Sequence, residues 1–407
     1  MEALNASLTC SLLFFVLVTS GCDSPLHDAS AVPHSPRIIT ADLRANISGK
    51  PQLSIRRYPL FSFTLDCNAR TGLLNSIVNS GLVKASPGVC IHMMRLRRFI
   101  SKTNKNQLAF DLIFKKYEEV LFNEETHRIS NGGISILVDT PYGVRYRITP
   151  LHYEKNYELA SQLGAVAHRD QVLAKLFESG RSLDFPVRTP SSRDLKGSDI
   201  LIDSLASFDN RAELEWTLMA YCGYLKTPDF VNSKGDQFRL IDLGSQLFKR
   251  PAGNGSCHDC HRLYALAVFL NWANIETKNG GDSELLRTLT AEIQQHFKEV
   301  SIVLENNQCA DGSWNGTWWK TVAEPGGLID ENELSNRIRA TGHLLEWCAI
   351  TPPDFRPDDR VIAKGVGYLS GLLLPRPDHF AEKHLLATSH ALSALFLLDP
   401  LEITNEQ

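Results

Sequence analysis

The chain has 407 residues, 43% of them hydrophobic and 22% charged, with a formal charge of −4. That is apolar material for one large core or two domains, and the near-neutral balance offers no basic surface for nucleic acid. Its 26 glycines and 19 prolines are ordinary and exclude collagen-like or low-complexity chains.

The N-terminus opens with "SLLFFVLVTSGC" (11–22), an apolar run too short to span a bilayer that ends on small residues and Cys22. It reads as an export signal over 1–22, and its end resembles a bacterial lipobox, which implies lipidation at Cys22 and a membrane-anchored or periplasmic lipoprotein. The polar, proline-bearing stretch that follows (23–40) suits a tether. Export makes disulfides possible. The seven cysteines after Cys22 are odd in number and scattered from Cys67 to Cys348, unlike a compact disulfide framework.

Residues 41–150 read as a mixed α+β segment. "QLAFDLIFKKYEEVLF" (107–122) has helical spacing, and "GISILVDTPYGVRYRI" (133–148) alternates around a Pro-Tyr-Gly turn as a hairpin would. Residues 151–407 read as a helical domain. A helical pattern at 156–180 stops at Gly180, and further helices are expected over 212–225, 261–276, 283–307, 332–350, 360–374 and 382–398, with no strands between them.

Three of these helices echo one another. "DCHRLYALAVFL", "ATGHLLEWCAI" and "ATSHALSALFLL" align on His261, His343 and His390, each followed two positions on by leucine (Leu263, Leu345, Leu392). His343 lies 82 residues after His261, and His390 lies 47 after His343. Those gaps are two units and one unit of a helical hairpin of about 40–50 residues, the arithmetic of a stacked or closed helical array.

Just before the first of these helices, Cys257, Cys260 and His261 stand in the C-x-x-C-H order that attaches c-type haem. Three further readings compete: a metal site, a Cys257–Cys260 disulfide, or a helix start with Ser256 or Asp259 as its cap. His343 and His390 occupy equivalent places without any preceding C-x-x-C. The repeat therefore explains His261 without haem.

The loop "QCADGSWNGTWW" (308–319) supplies Gln308, Asp311, Gly312, Ser313 and Trp314 as Q-x-x-D-G-S-W directly after a long helical pattern. The physical logic is a glycine turn at a helix end, an amide that satisfies unpaired backbone groups and an indole that covers them. "AKGVGYL" supplies Lys364, Gly365, Tyr368 and Leu369 in the spacing of a first half of the same motif. Over roughly 200–398 the chain resembles the terpenoid cyclase and protein prenyltransferase superfamily through this QW-like motif, in an exported, planctomycete-like bacterial lipoprotein branch. The resemblance implies a mainly α fold, an α/α toroid in which an inner ring of helices is sheathed by an outer one. It does not bring the family's chemistry. Asp358–Asp359 and "LIDENE" (328–333) do not make the cyclases' D-x-D-D acid, and Asp259 is adjacent to Cys260 rather than two residues from it.

A toroid would present His261, His343 and His390 at one rim, near Cys257, Cys260 and an aromatic wall of Trp314, Trp318 and Trp319. The leading expectation is a lipoprotein that binds a ligand, a small molecule or a glycan, in that central cavity. An exported enzyme is the alternative, either zinc-dependent through Cys257, Cys260 and the three histidines or lyase- and epimerase-like through Arg337, Arg339 and His343. Haem c on Cys257, Cys260 and His261 is the second alternative. Convergence of the histidines with an acid or base favours the enzyme, whereas their dispersal through separate layers favours binding or scaffolding.

Overall fold

The computed structural model describes residues 36–83, 87–99, 107–123, 136–148, 168–191, 193–210, 213–251, 257, 259–281, 283–320 and 330–400. The signal, Cys22 and most of the tether lie outside them. Residues 34–407 form one compact unit, and the described part is mainly helical. None of its helices is long and apolar enough to cross a membrane.

Six helices follow one another as packing partners. They are α3 (Pro87–Met94), α5 (Gln171–Glu178), α7 (Glu215–Tyr224), α9 (Cys260–Lys278), α11 (Glu331–Ile350) and α14 (Leu385–Leu398). Each packs on the next, and α14 packs back on α3, so the series of contacts is cyclic. Residues 41–150 contribute one member of it. These helices are buried nearly all round: every residue of α7 is buried, as is every residue of α9 from Cys260 to Leu270. Such a helix needs neighbours on all sides, and its composition shows no polar face.

Several of the helices between them are one-sided. In α10 (Glu284–Asn306) the buried positions Leu286, Leu289, Ile293, Phe297, Val300 and Leu304 recur at three and four residues, the stripe of a helix with one face in solvent. Its start is fixed by Ser283, whose Oγ accepts the Leu286 amide at 3.1 Å. The short helix α8 (Leu240–Phe248) packs on both α7 and α9, α12 (Asp359–Leu373) on both α11 and α14, and α2 (Cys67–Val83) on both α14 and α3. The expected helix at 107–122 is present as α4 (Gln107–Phe122) and packs on α3.

The sequence pattern predicts strands only at 133–148. That hairpin is present as β1 (Leu137–Asp139) against β2 (Val144–Tyr146), antiparallel with Val138 opposite Arg145. Two further hairpins interrupt the helical region, contrary to the sequence reading: β3 (Pro186–Arg188) with β4 (Asp194–Lys196), and β5 (Asp229–Val231) with β6 (Gln237–Arg239). Each three-residue strand is too short to leave a clear alternation in the sequence. Each pair feeds a helix, α6 (Gly197–Ala206) or α8, and the second hairpin-plus-helix begins 43 residues after the first, at 229 and 240 against 186 and 197. The pattern at 156–180 becomes helical at Gln171 within the described residues, and residues 149–167 lie outside them.

Candidate functional site

The first turns of α9 and the middles of α11 and α14 carry His261, His343 and His390, and the cyclic packing brings all three together. Their ring centroids lie 4.4 Å apart for His261 and His343, 3.5 Å for His343 and His390, and 6.0 Å for His261 and His390. All three are at most 3% exposed. Glu346 lies one turn after His343, and its Oε2 accepts from His343 Nδ1 and from His390 Nδ1, each at 3.1 Å. Behind it stands Arg95, whose guanidinium lies 2.7 Å from Glu346 Oε1 with both side chains buried.

Other members of the cycle complete the surroundings. His92 on α3 meets His390 edge to face at 4.8 Å, and Trp216 on α7 lies 4.2 Å from His261. On α5 the buried Lys175 sits 4.8 Å above the Trp216 ring and pairs with Glu178 at 2.7 Å. Every helix of the cycle thus delivers a polar or aromatic group to this centre. A separate cavity of about 70 Å³ is lined by His168, Arg169, Asp203 and Ser204 among others, and none of the side chains of this centre lines it.

Electrostatics set the protonation. Burial holds His261 and His390 well below the usual histidine range, and competition with His343 for a proton, the Lys175 charge (both for the first) and the Arg95 charge (for the second) act in the same direction. Burial also brings His343 down to about 4, against the opposing hydrogen bond and charge of Glu346. Burial pushes the Glu346 carboxyl up, but Arg95 and His343 outweigh it and leave it below the usual carboxylate range. At neutral pH the centre therefore holds one carboxylate and three neutral imidazoles. A carboxylate only accepts, so both Nδ1 atoms that face Glu346 carry the proton, and each Nε2 of that pair is a bare lone pair.

Cys257 completes the constellation from the turn before α9. Its Sγ, a nitrogen of His261 and a nitrogen of His343 lie within 4.8 Å of one another, as do the corresponding atoms of His343, Glu346 and His390. The backbone at Cys257 and at Asp259 is left-handed, with φ of 47° and 64°. For a cysteine this conformation costs about 1–2 kcal/mol. Burial pushes the Cys257 thiol up to about 11, while the Arg339 charge pulls the other way.

The remaining candidates separate. Cys260 is 1% exposed, and its thiol engages Trp318 rather than the histidines. Cys257 and Cys260 are both free thiols. A porphyrin on His261 would have to displace Trp216, His343 and His390 from its ring, and the Cys260 thiol is engaged with Trp318, so the segment does not fit haem attachment. Asp259 does not cap α9 with its side chain but lies 2.7 Å from Arg262. Ser256 lies outside the described residues.

Trp314 is spent on packing around its own loop. Trp314 is fully buried, donates Nε1–H to the Leu304 carbonyl at 2.9 Å and donates its amide to Thr341 Oγ1 at 2.9 Å. Gln308 Nε2 donates to the carbonyls of Gly312 (3.0 Å) and Val361 (2.9 Å), and Asp311 Oδ1 accepts from the Ser313 amide at 2.9 Å. Arg337 belongs to this loop: it pairs with Glu333 at 3.0 Å and lies 3.5 Å from Asp311. Arg339 donates to Asn336 at 2.5 Å, with its charge near Cys257. Trp318 and Trp319 meet edge to face at 5.6 Å.

Sequence reasoning missed Glu346, Arg95, His92, Lys175 and Trp216. Two of them were legible: Glu346 follows His343, and Arg95 follows His92, by the three residues that put side chains on one helix face. No family model, no curated protein and no solved structure matches this chain.

Proposed function

We propose that this chain is an exported, lipid-anchored α/α toroid, and that the centre of its inner ring is a reaction site for an exported substrate, with glycans as the class. The cyclic packing of α3, α5, α7, α9, α11 and α14, flanked by further helices such as α8, α10 and α12, supports the toroid. The apolar run ending at Cys22 supports the anchor, which radioactive palmitate should label in the wild type and not in Cys22→Ser.

The observation that carries the enzymatic reading is the meeting of His261, His343 and His390 with Glu346. Three separate helices deliver them, and burial keeps the imidazoles neutral with lone pairs available at neutral pH. Glu346 orients His343 and His390 and stabilises positive charge that appears on them, the arrangement a general base needs. Arg339, beside Cys257, is placed to meet an acidic group on the substrate.

The test is turnover by protein purified from an exporting host. Polyuronates, neutral polysaccharides and 4-methylumbelliferyl glycosides are the probes, read by unsaturated or fluorescent product. One class should react, and His390→Gln should slow it by about 10²-fold or more. A melting shift with a probe but no product would leave a ligand-binding lipoprotein. No response to any probe would reduce the cluster to a polar core.

A further inference from the structure

We propose that Cys257 Sγ, His261 Nε2 and His343 Nε2 form a three-ligand site for a zinc-class divalent cation, with an open fourth position facing His390. This rests on the reading of the ring centre as a functional site and names its cofactor.

Geometry selects this triad over the overlapping one. The ligand atoms of Cys257, His261 and His343 lie within 4.8 Å of one another, and so do those of His343, Glu346 and His390. In the second set both histidines spend Nδ1 on Glu346 Oε2, and Arg95, a fixed cation, lies 2.7 Å from Glu346 Oε1. A cation there would face that guanidinium at close range. The first set has its donors uncommitted: His261 Nε2 and His343 Nε2 are buried and have no hydrogen-bond partner among the described residues, in side chains only 3% and 2% exposed. A buried nitrogen left unpaired is destabilising, and a metal removes that cost at both at once.

The chemistry of the donors names the class. One thiolate and two imidazoles suit zinc and its borderline neighbours and do not suit the oxygen-seeking calcium or magnesium. Zinc bonds of about 2.0–2.3 Å place tetrahedral ligands roughly 3.3–3.7 Å apart, so these side chains need to close by about an ångström. His343 already has the support that zinc-bound histidines use, an Nδ1–H donated to a carboxylate. Three protein ligands leave the fourth position for water or substrate. With His261 and His343 on the ion, His390 is the histidine left beside that position to move a proton.

The experiment uses the full chain, stripped with a chelator under reducing conditions and titrated with Co²⁺ and then Zn²⁺. Expected are one ion per chain and a thiolate-to-cobalt charge-transfer absorption in the near ultraviolet, with tetrahedral visible bands that zinc abolishes. Cys257→Ser should lose the charge-transfer band and His261→Gln should weaken binding by about 10²-fold or more, while Cys260→Ser keeps both signals. Apo melting temperatures of the variants, compared with apo wild type, report whether each one folds. No stoichiometric cobalt in the wild type, or a charge-transfer band that survives in Cys257→Ser and disappears in Cys260→Ser, would overturn the site. Turnover without any metal signal would remove the ion and leave the acid–base centre; stoichiometric metal without turnover would leave the ion and remove the enzyme.

Discussion

Arg95 and Glu346 meet at 2.7 Å with only 3% and 4% of their side chains exposed. They lie far apart in the chain, in the short 3-10 segment Arg95–Phe99 after α3 and in the C-terminal part of α11, so this ion pair ties residues 41–150 to the helical remainder. Two charges without water cost more to separate than to exchange for apolar groups. Arg95→Met should therefore strand the Glu346 carboxylate and cost about 3–5 kcal/mol in denaturant unfolding. Arg95→Met combined with Glu346→Leu should recover part of that loss. A single variant within about 0.5 kcal/mol of wild type would mean that the pair does not hold the centre together.

Acid should destabilise the metal-free protein early. The folded-state values of His261, His343 and His390 are depressed, that of His343 to about 4, whereas unfolded histidine titrates near ~6.5. Their stabilising effect is complete above the unfolded value and is lost as pH falls toward the folded one. Each contributes a slope of about 1.4 kcal/mol per pH unit where the unfolded chain is protonated and the folded chain is not. Glu346 is also depressed, so its contribution falls in the same direction at lower pH. Melting temperature should drop steadily from pH 7 to pH 4.5, and His390→Gln should flatten the slope by about one proton. A flat profile over that range would mean that the imidazoles are charged or solvated in the folded state.

No covalent haem should form on Cys257 and Cys260. Protein made in a haem-maturing, exporting host should show no haem-stained band after denaturing electrophoresis, because Cys260 is engaged with Trp318 and His261 is enclosed by Trp216, His343 and His390. A stained band that survives in Cys22→Ser and disappears in Cys257→Ser would refute this.

The helices were legible where their signal is local. The stripe in α10 and the apolar runs of α9, α11 and α14 mark themselves by spacing, and the His261, His343 and His390 echo located three members of the central cluster. The remaining members are set by long-range packing: nothing near His92 in sequence says that α3 lies against α14, and Lys175 becomes a central residue only because α5 packs between α3 and α7. The hairpins β3–β4 and β5–β6 were missed because three-residue strands carry no period. The role of Trp314 was hidden for a different reason. Aromatic residues in a loop suggest a ligand wall, but the Trp314 indole is spent on the Leu304 carbonyl and the surface of α12.

The two half-motifs, Gln308 to Trp314 and Lys364 to Leu369, meet in space, and this contact makes a sharp stability prediction. Gly312 has φ of 91°, a conformation that side chains resist, and a Cβ there would stand 2.4 Å from the Lys364 carbonyl oxygen. A Cβ on Gly365 would stand 2.7 Å from the Trp314 ring. The loop after α10 thus closes on the first turns of α12 through two positions that tolerate no side chain, while Gln308 bonds the Val361 carbonyl beside them. Gly312→Ala should destabilise by more than about 1 kcal/mol, and Trp314→Ala, which empties a fully buried indole site, by about 3–5 kcal/mol. Both should leave cobalt binding by the folded fraction unchanged, because the loop anchors α10 to α12 and supplies no ligand to the centre. Denaturant unfolding measures the first effect, and cobalt titration at a temperature where each variant is folded measures the second. Near-wild-type stability of Trp314→Ala, or loss of cobalt from a fully folded Gly312→Ala, would show that the loop does something other than clamp these two helices.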